Sequence, residues 1–260
     1  MNFTFLTFDS IDSTNSEALR QARVGAEEGL CVVARQQTAG RGRHGRTWVS
    51  EKDDGLYFSI VLRPKIDAQF LPLITLMTGV GVHDALAGFG IDPDIKWVND
   101  LLVNEKKICG ILAETTETNT GLAVVVGIGI NLRSSNFPPE IADNATSIEE
   151  NLSILPAAAG DAFTYRGPEI KAELMETLPK FLSYFYNILN TENGPAEIIE
   201  EWRRRSSYFS GKRVRVVLEN RAVTGVTDGL ELNGALRLKT DGGSVLAIQA
   251  GDVERLRSTS

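Results

Sequence analysis

The sequence predicts an α+β fold: a mixed β-sheet flanked by helices, followed by a small antiparallel β-barrel. Three observations carry this. Apolar runs of strand length, such as residues 30–35 and 55–62, alternate with longer segments of helical periodicity through residues 1–206. From Gly211 the pattern changes to strict alternation, as in Lys212-Arg213-Val214-Arg215-Val216, punctuated by Asn233-Gly234 and Asp241-Gly242 turns. The chain has 260 residues, 42% of them hydrophobic, enough for a larger domain over 1–206 and a smaller one over 211–257. The smaller unit is marginal alone and is expected to pack on the larger one.

The elements follow in order. Residues 3–8 are apolar and threonine-rich, a first strand. Thr14 and Glu17 have capping-box spacing, so a helix is predicted from there to Arg23. Residues 30–35 form a short buried strand, and 55–62 a β-branched and aromatic one stopped by Pro64. Residues 71–89 are apolar nearly all round, but Pro72, His83, Asp84 and three glycines interrupt the run, which favours a core helix over a membrane span. Residues 95–103 and 107–114 read as two strands joined by a hairpin turn at Asn104-Glu105-Lys106-Lys107. Residues 121–132 form the most buried strand, and Gly127 and Gly129 within it suggest close backbone approach by a ligand. Residues 151–168 read as a connecting loop, and two helices follow over 169–190 and 195–205. Leu174, Leu178, Phe181, Leu182 and Phe185 give the first of these a core face. Arg203, Arg204 and Arg205 form a solvated helix end favoured by the helix dipole.

A net charge of −7 argues against a nucleic-acid-binding body. Cys31 and Cys109 lie inside apolar runs and read as small buried hydrophobes in a reducing compartment, not as a disulfide or metal pair. The N-terminus has no basic region ahead of an apolar stretch, so no signal peptide is expected.

Against this acidic background stands one cationic stretch, Gly40-Arg41-Gly42-Arg43-His44-Gly45-Arg46-Thr47-Trp48. Glycine permits positive φ and close approach to a ligand. Arginine forks match carboxylate and phosphate oxygens, and Trp48 offers a flat face. With no apolar residue between Gly40 and Trp48, the stretch is expected to be a mobile loop between two strands, ready to close over an anion. Lys107 opens a buried strand, where an unpaired ammonium is costly, so it needs a partner. Ser13 and Thr14 either cap the first helix only or also present hydroxyls to a ligand.

On these residues the chain resembles the biotin–protein ligases, enzymes that attach biotin to a carrier lysine. Residues 40–48 read as the family's GRGRxGRxW signature. Asp12-Ser13-Thr14-Asn15, Lys96-Trp97-Val98-Asn99-Asp100 with Lys107 and Gly110-Ile111-Leu112, and Gly127-Ile128-Gly129-Ile130-Asn131 follow the family's pattern. Together they cover most of residues 10–150, and the segment after 211 looks like the family's C-terminal β-domain. One position departs: Val98 stands where the family usually has proline.

The resemblance implies a class II aminoacyl-tRNA synthetase-like catalytic sheet and an SH3-like barrel. It implies activation of biotin by ATP and Mg²⁺ to biotinyl-5′-AMP, then transfer to a biotin carboxyl carrier domain, with no tightly bound prosthetic group. By the same resemblance, Ser13, Thr14, Asn15, Gln37, Arg41, Gly42, Arg43 and Lys107 hold biotin, and Arg43, Arg46, Trp48, Asn99, Asp100 and Asn131 hold the nucleotide. Arg41, Arg43 and Lys107 supply positive charge where the carboxylate meets the α-phosphate, and no side chain is assigned to a metal. Residues 144–148 resemble a segment near the nucleotide. A cytoplasmic protein is expected, without membrane or DNA binding, since residues 5–15 begin the catalytic domain directly; a homodimer is left open. The nearest rival is lipoate ligase, which shares the fold and the adenylate chemistry; the complete basic loop speaks against it.

Overall fold

The computed structural model describes residues 1–134, 137–153, 167–219 and 221–255. Its first sheet is built from β1 (Thr4–Phe8), β2 (Leu30–Ala34), β3 (Gly55–Leu62), β4 (Asp94–Lys96), β5 (Asp100–Val103), β6 (Lys106–Thr118) and β7 (Gly121–Asn131). The spatial order is β1-β2-β3-β7-β6-β5-β4. β1 and β2 run parallel and the remaining neighbours antiparallel, so the sheet is mixed as predicted.

The sheet's two faces follow from the period-two alternation of its strands. On one face, Phe58, Ile60, Val126, Ile128 and Ile130 join the large core formed with α2 (Leu73–Ala87). On the other, Val32, Val61, Ala123 and Val125 pack under α1 (Thr14–Arg23). Continuing along β7, that second face presents Gly127 and Gly129 instead of large side chains. These glycines leave room on the sheet beside the N-terminus of α1, and a pocket forms there.

Helices α3 (Pro139–Ala142), α4 (Ile148–Ser153), α5 (Gly167–Leu189) and α6 (Gly194–Arg204) complete the first unit. Leu174, Leu178, Leu182 and Phe185 of α5 are buried, as their spacing predicted; Phe181 is only partly buried. Trp202 of α6 is fully buried. His83 on α2 lies between carboxylates, 3.0 Å from Asp84 Oδ1 and 3.4 Å from Asp92 Oδ1. No helix among the described residues is long and apolar enough to cross a membrane.

β8 (Ser210–Val217), β9 (Ala222–Leu230), β10 (Leu236–Thr240), β11 (Val245–Ile248) and β12 (Asp252–Arg255) form a second, antiparallel sheet in the order β11-β10-β9-β8-β12. It is docked on the first unit, as its small size required. The Trp97 indole N–H donates to the Gly234 carbonyl at 3.0 Å, and Gly234 lies against Leu73 and Leu76 of α2.

Several local expectations shift. The single strand over 95–103 is two, β4 and β5, separated by a turn with a cis Trp97–Val98 peptide bond. Its hairpin to β6 turns at Asn104 and Glu105, both at positive φ, so β6 begins at Lys106 and runs on to Thr118. The first helix is capped by Ser13, with Thr14 as its first residue, because the Thr14 hydroxyl is engaged elsewhere. The short helices α3 and α4 were not read from the sequence, and β12 was missed. The expected connecting loop at 151–168 lies mostly outside the described residues.

Candidate active site

The pocket is lined by the N-terminus of α1, the basic loop, the start of β5 and the open face of β6 and β7. Ser13, Thr14, Asn15, Gln37, Arg41, Gly42, Arg43, Arg46, Trp48, Asn99, Asp100 and Lys107 all lie around it. Of the predicted site residues only Asn131 does not; it lines the neighbouring cavity.

The floor is a buried polar network. Gln37 Oε1 accepts from the Thr14 backbone N–H at 2.8 Å and from the Thr14 hydroxyl at 3.1 Å. Its Nε2 donates to Ser50 Oγ at 2.8 Å. Asn15 Nδ2 donates to the Leu112 carbonyl at 3.1 Å and to Glu114 Oε2 at 2.9 Å. A carbonyl can only accept, so the amide orientation is fixed and Asn15 Oδ1 must face the Ser59 hydroxyl, 2.7 Å away. Thr14, Asn15 and Ser59 are buried. Their groups are held by one another before any ligand arrives.

The glycines explain how these side chains reach the sheet. A Cβ at Gly127 would overlap the Asn15 amide, and one at Gly129 would stand 2.5 Å from the Trp48 ring. Gly110 on β6 meets the other edge of the same indole. The close approach expected of a ligand at Gly127 and Gly129 is thus made by the protein's own Asn15 and Trp48.

The basic loop is folded in this structure. Arg41 pairs with Thr47, Gly42 N donates to the Arg46 carbonyl at 2.7 Å, and Trp48 N donates to the Gly40 carbonyl at 3.0 Å. His44 and Gly45 make the tip at positive φ. The loop's lack of apolar residues is offset by Trp48, whose ring lies on the sheet and whose indole N–H is buried with no acceptor among the described residues.

Each cation has an anion or a carbonyl beside it. Arg41 forks onto Glu114 at 2.8 and 2.6 Å, which turns it toward the pocket wall. Arg43 donates to Asn99 Oδ1 at 3.2 Å and to the Gly251 carbonyl at 3.3 Å. Burial lowers the Arg43 pKa, opposed by the nearby Asp100 carboxylate. Arg46 pairs with Asp252. Lys107 Nζ is 2.6 Å from Asp100 Oδ1 and lies 5.3 Å from the centre of the Trp48 ring. Lys96 sits 3.8 Å from the same carboxylate, with its pKa lowered by burial.

A second cavity of about 230 Å³ opens on the other side of Trp48. Val49, Tyr57, Phe137, Ile141 and Ala145 give it apolar walls, and Lys107 borders both cavities. Asn131 helps to build it: its Nδ2 donates to the Lys107 and Thr146 carbonyls at 3.2 and 3.0 Å.

Sequence reasoning missed three contributors. Ser59 is a polar residue inside an otherwise apolar strand, a signal that was available, whereas Glu114 opens the polar second half of β6 and does not stand out there. Asp252 comes from the second sheet, 206 positions from its partner Arg46, and nothing local marks it.

Comparison with known proteins agrees with this geometry. Residues 7–131 match the biotin/lipoate A/B protein ligase family, and residues 209–256 match the biotin protein ligase C-terminal domain. The chain is 32% identical over 252 residues to the biotin–[acetyl-CoA-carboxylase] ligase of Mycobacterium tuberculosis, covering 94% of this chain and 86% of that protein. It is 45% identical over 146 residues to the bifunctional ligase/repressor BirA of Bacillus spizizenii, a match that spans only 55% of this chain and 45% of that relative's length. The biotin protein ligase of Aquifex aeolicus, solved in complex with biotin and ATP, superposes with a TM-score of 0.79 at 28% identity, over 97% of this chain and 99% of that one. The chain therefore belongs to the biotin/lipoate A/B protein ligase family. Within it, the fold, the C-terminal domain and these relatives are those of the biotin protein ligases.

Proposed function

We propose that the protein activates biotin with ATP to biotinyl-5′-AMP and transfers the biotinyl group to a lysine of a biotin carboxyl carrier domain. The observation that carries this is a buried, fully hydrogen-bonded polar floor beneath a cluster of arginines and lysines, with an apolar cavity alongside. The floor suits the ureido head of biotin, which has donors and an acceptor to exchange with it. The dithiolane of lipoate has neither N–H donors nor a carbonyl, and would gain no such hydrogen bonds from the floor.

Biotin seated on the floor directs its carboxylate toward Arg43 and Lys107. The adenine occupies the second cavity against Trp48, which brings the α-phosphate to Lys107 at the border. The carboxylate oxygen attacks the α-phosphorus and pyrophosphate leaves; the lysine amine then attacks the carbonyl carbon and AMP leaves. Two anions must meet in the first step, and fixed positive charge in a water-poor site lowers that barrier. The cations enter this role by exchanging Asp100 and Asp252 for substrate oxygens.

No cluster of three His, Cys, Asp or Glu among the described residues could hold a resident metal. Asp100 and Asp252, both on the pocket wall, fit instead a magnesium ion carried by ATP, whose charge would ease pyrophosphate departure. The wider assignment, a catalytic unit over 1–206 working in the cytoplasm, rests on the same reading.

The test is incubation with ATP, Mg²⁺ and a biotin carrier domain, offered biotin or lipoate in parallel and read by mass. Biotinylation of one lysine, without lipoylation, is expected. Lipoylation at a similar rate, or no transfer of either acid, overturns the assignment.

A further inference from the structure

Glu114 lies on the same face of β6 as Gly110 and Leu112, and lines the groove beside the pocket along the basic loop. Its two oxygens accept from two different elements. Oε2 takes the second amide hydrogen of Asn15, and both oxygens take the fork of Arg41. Through Asn15 the contact continues to Ser59 on β3. A single carboxylate therefore joins the buried floor, where the head group is recognised, to the loop that covers the pocket.

We propose that Glu114 is a positioning residue that latches the basic loop to the head-group floor, and so sets loop closure by the occupancy and order of that floor. The proposal rests on the reading that biotin's head sits at Asn15.

The chemistry of the pair makes a specific forecast. Both partners of Glu114 are donors only, so it must supply acceptors alone. Glu114 Oε2 already accepts from both Asn15 and Arg41, so a glutamine oxygen there keeps Asn15, but its amino group then faces the other Arg41 nitrogen, donor against donor, and the charge that holds the fork is gone. Asn15 is 3% exposed, whereas the Arg41 side chain is 39% exposed. An unpaired donor is expensive at the first and hydrated by water at the second. In Glu114→Gln the oxygen should therefore turn to Asn15 and release Arg41. Glu114→Ala abandons both.

The experiment uses the full chain with three single variants, Glu114→Gln, Glu114→Ala and Arg41→Gln, and the double variant of the two Gln changes. Trypsin cleavage after Arg43 and Arg46 is timed without ligand, and biotin affinity is measured by calorimetry without ATP. Cleavage in Glu114→Gln and Arg41→Gln should be faster than in the wild type by about fivefold or more, and the double variant should be no faster than either. Biotin affinity should stay within about threefold in Glu114→Gln and fall about tenfold in Glu114→Ala. General destabilisation by the two changes would instead add. Wild-type cleavage rates in Glu114→Gln, additive effects in the double variant, or equal loss of biotin affinity in Gln and Ala would overturn the latch. Absence of biotin binding by the wild type would overturn the reading of the pocket instead, while the ligand-free cleavage still decides the latch.

Discussion

Lys106 and Lys107 are neighbours with opposite surroundings. Lys107 reaches Asp100 on the pocket wall, and its main chain is held by the Asn144 carbonyl and the Thr146 N–H, at 2.8 and 2.9 Å. Lys106 is exposed at the start of β6. Lys107→Gln keeps length and a donor but removes the charge, and should slow adenylate formation roughly 10- to 100-fold. Lys106→Gln should remain near wild type. Rapid-mixing measurement of pyrophosphate release tests both, and damage from the Lys106 change would contradict the site. The lysine's need for a partner was legible because an unpaired ammonium at the head of an apolar strand is costly. The hairpin also brings Asp100 into its neighbourhood, but the sequence points to an anionic ligand as the partner, whereas the structure pairs the lysine with Asp100. Cys31 and Cys109 also behave as the sequence indicated. Both are buried among apolar side chains, and desolvation pushes the Cys31 thiol up to about 12.

At the scale of elements, the strands that frame the site were readable from apolar runs, while the path of the basic loop was not. Its order depends on Trp48 finding two side-chain-free positions on different strands, a long-range match that no local pattern encodes. Gly129→Ala should therefore expel the indole, weaken ATP binding more than biotin binding, and shift Trp emission to the red. Trp97 and Trp202 are both buried in the core, so such a shift reports Trp48. An unshifted spectrum with wild-type ATP affinity would show that the ring does not lie on β7. The start of α1 carries a pH dependence. Hydrogen bonding by Arg20, at 2.9 Å to each oxygen, holds the Asp12 carboxyl at about 2, below its ordinary 3.8. The stabilisation is present above the unfolded value and is lost as pH falls through the folded one. The thermal midpoints of wild type and Asp12→Asn should accordingly differ slightly at neutral pH and converge between about pH 4 and pH 2. A gap that widened in acid would assign the effect elsewhere.

For the whole molecule, two units and their order were evident from the change of pattern near Gly211, and docking followed from the small size of the second. The joint itself was hidden. Trp97 read as part of a motif, yet its indole is the hinge pin between the units, bonded to the Gly234 carbonyl. Trp97→Phe should lower the unfolding free energy by about 1–3 kcal/mol by leaving that carbonyl unpaired. Urea titration measures this, and an unchanged midpoint would mean that water replaces the indole without loss. The seam has a further property. Trp97 addresses the carbonyl of Gly234 and Arg43 that of Gly251, so both of these bonds end on main chain. A main-chain acceptor is the same whatever side chain its neighbours carry. Leu232 or Ala250 can drift through many generations of substitution without erasing the address. The C-terminal sheet should be exchangeable as a cassette between distant relatives, provided a chimera carries along the side-chain pairs of Asp252 with Arg43 and Arg46 and of Lys212 with Asp94 and Glu105.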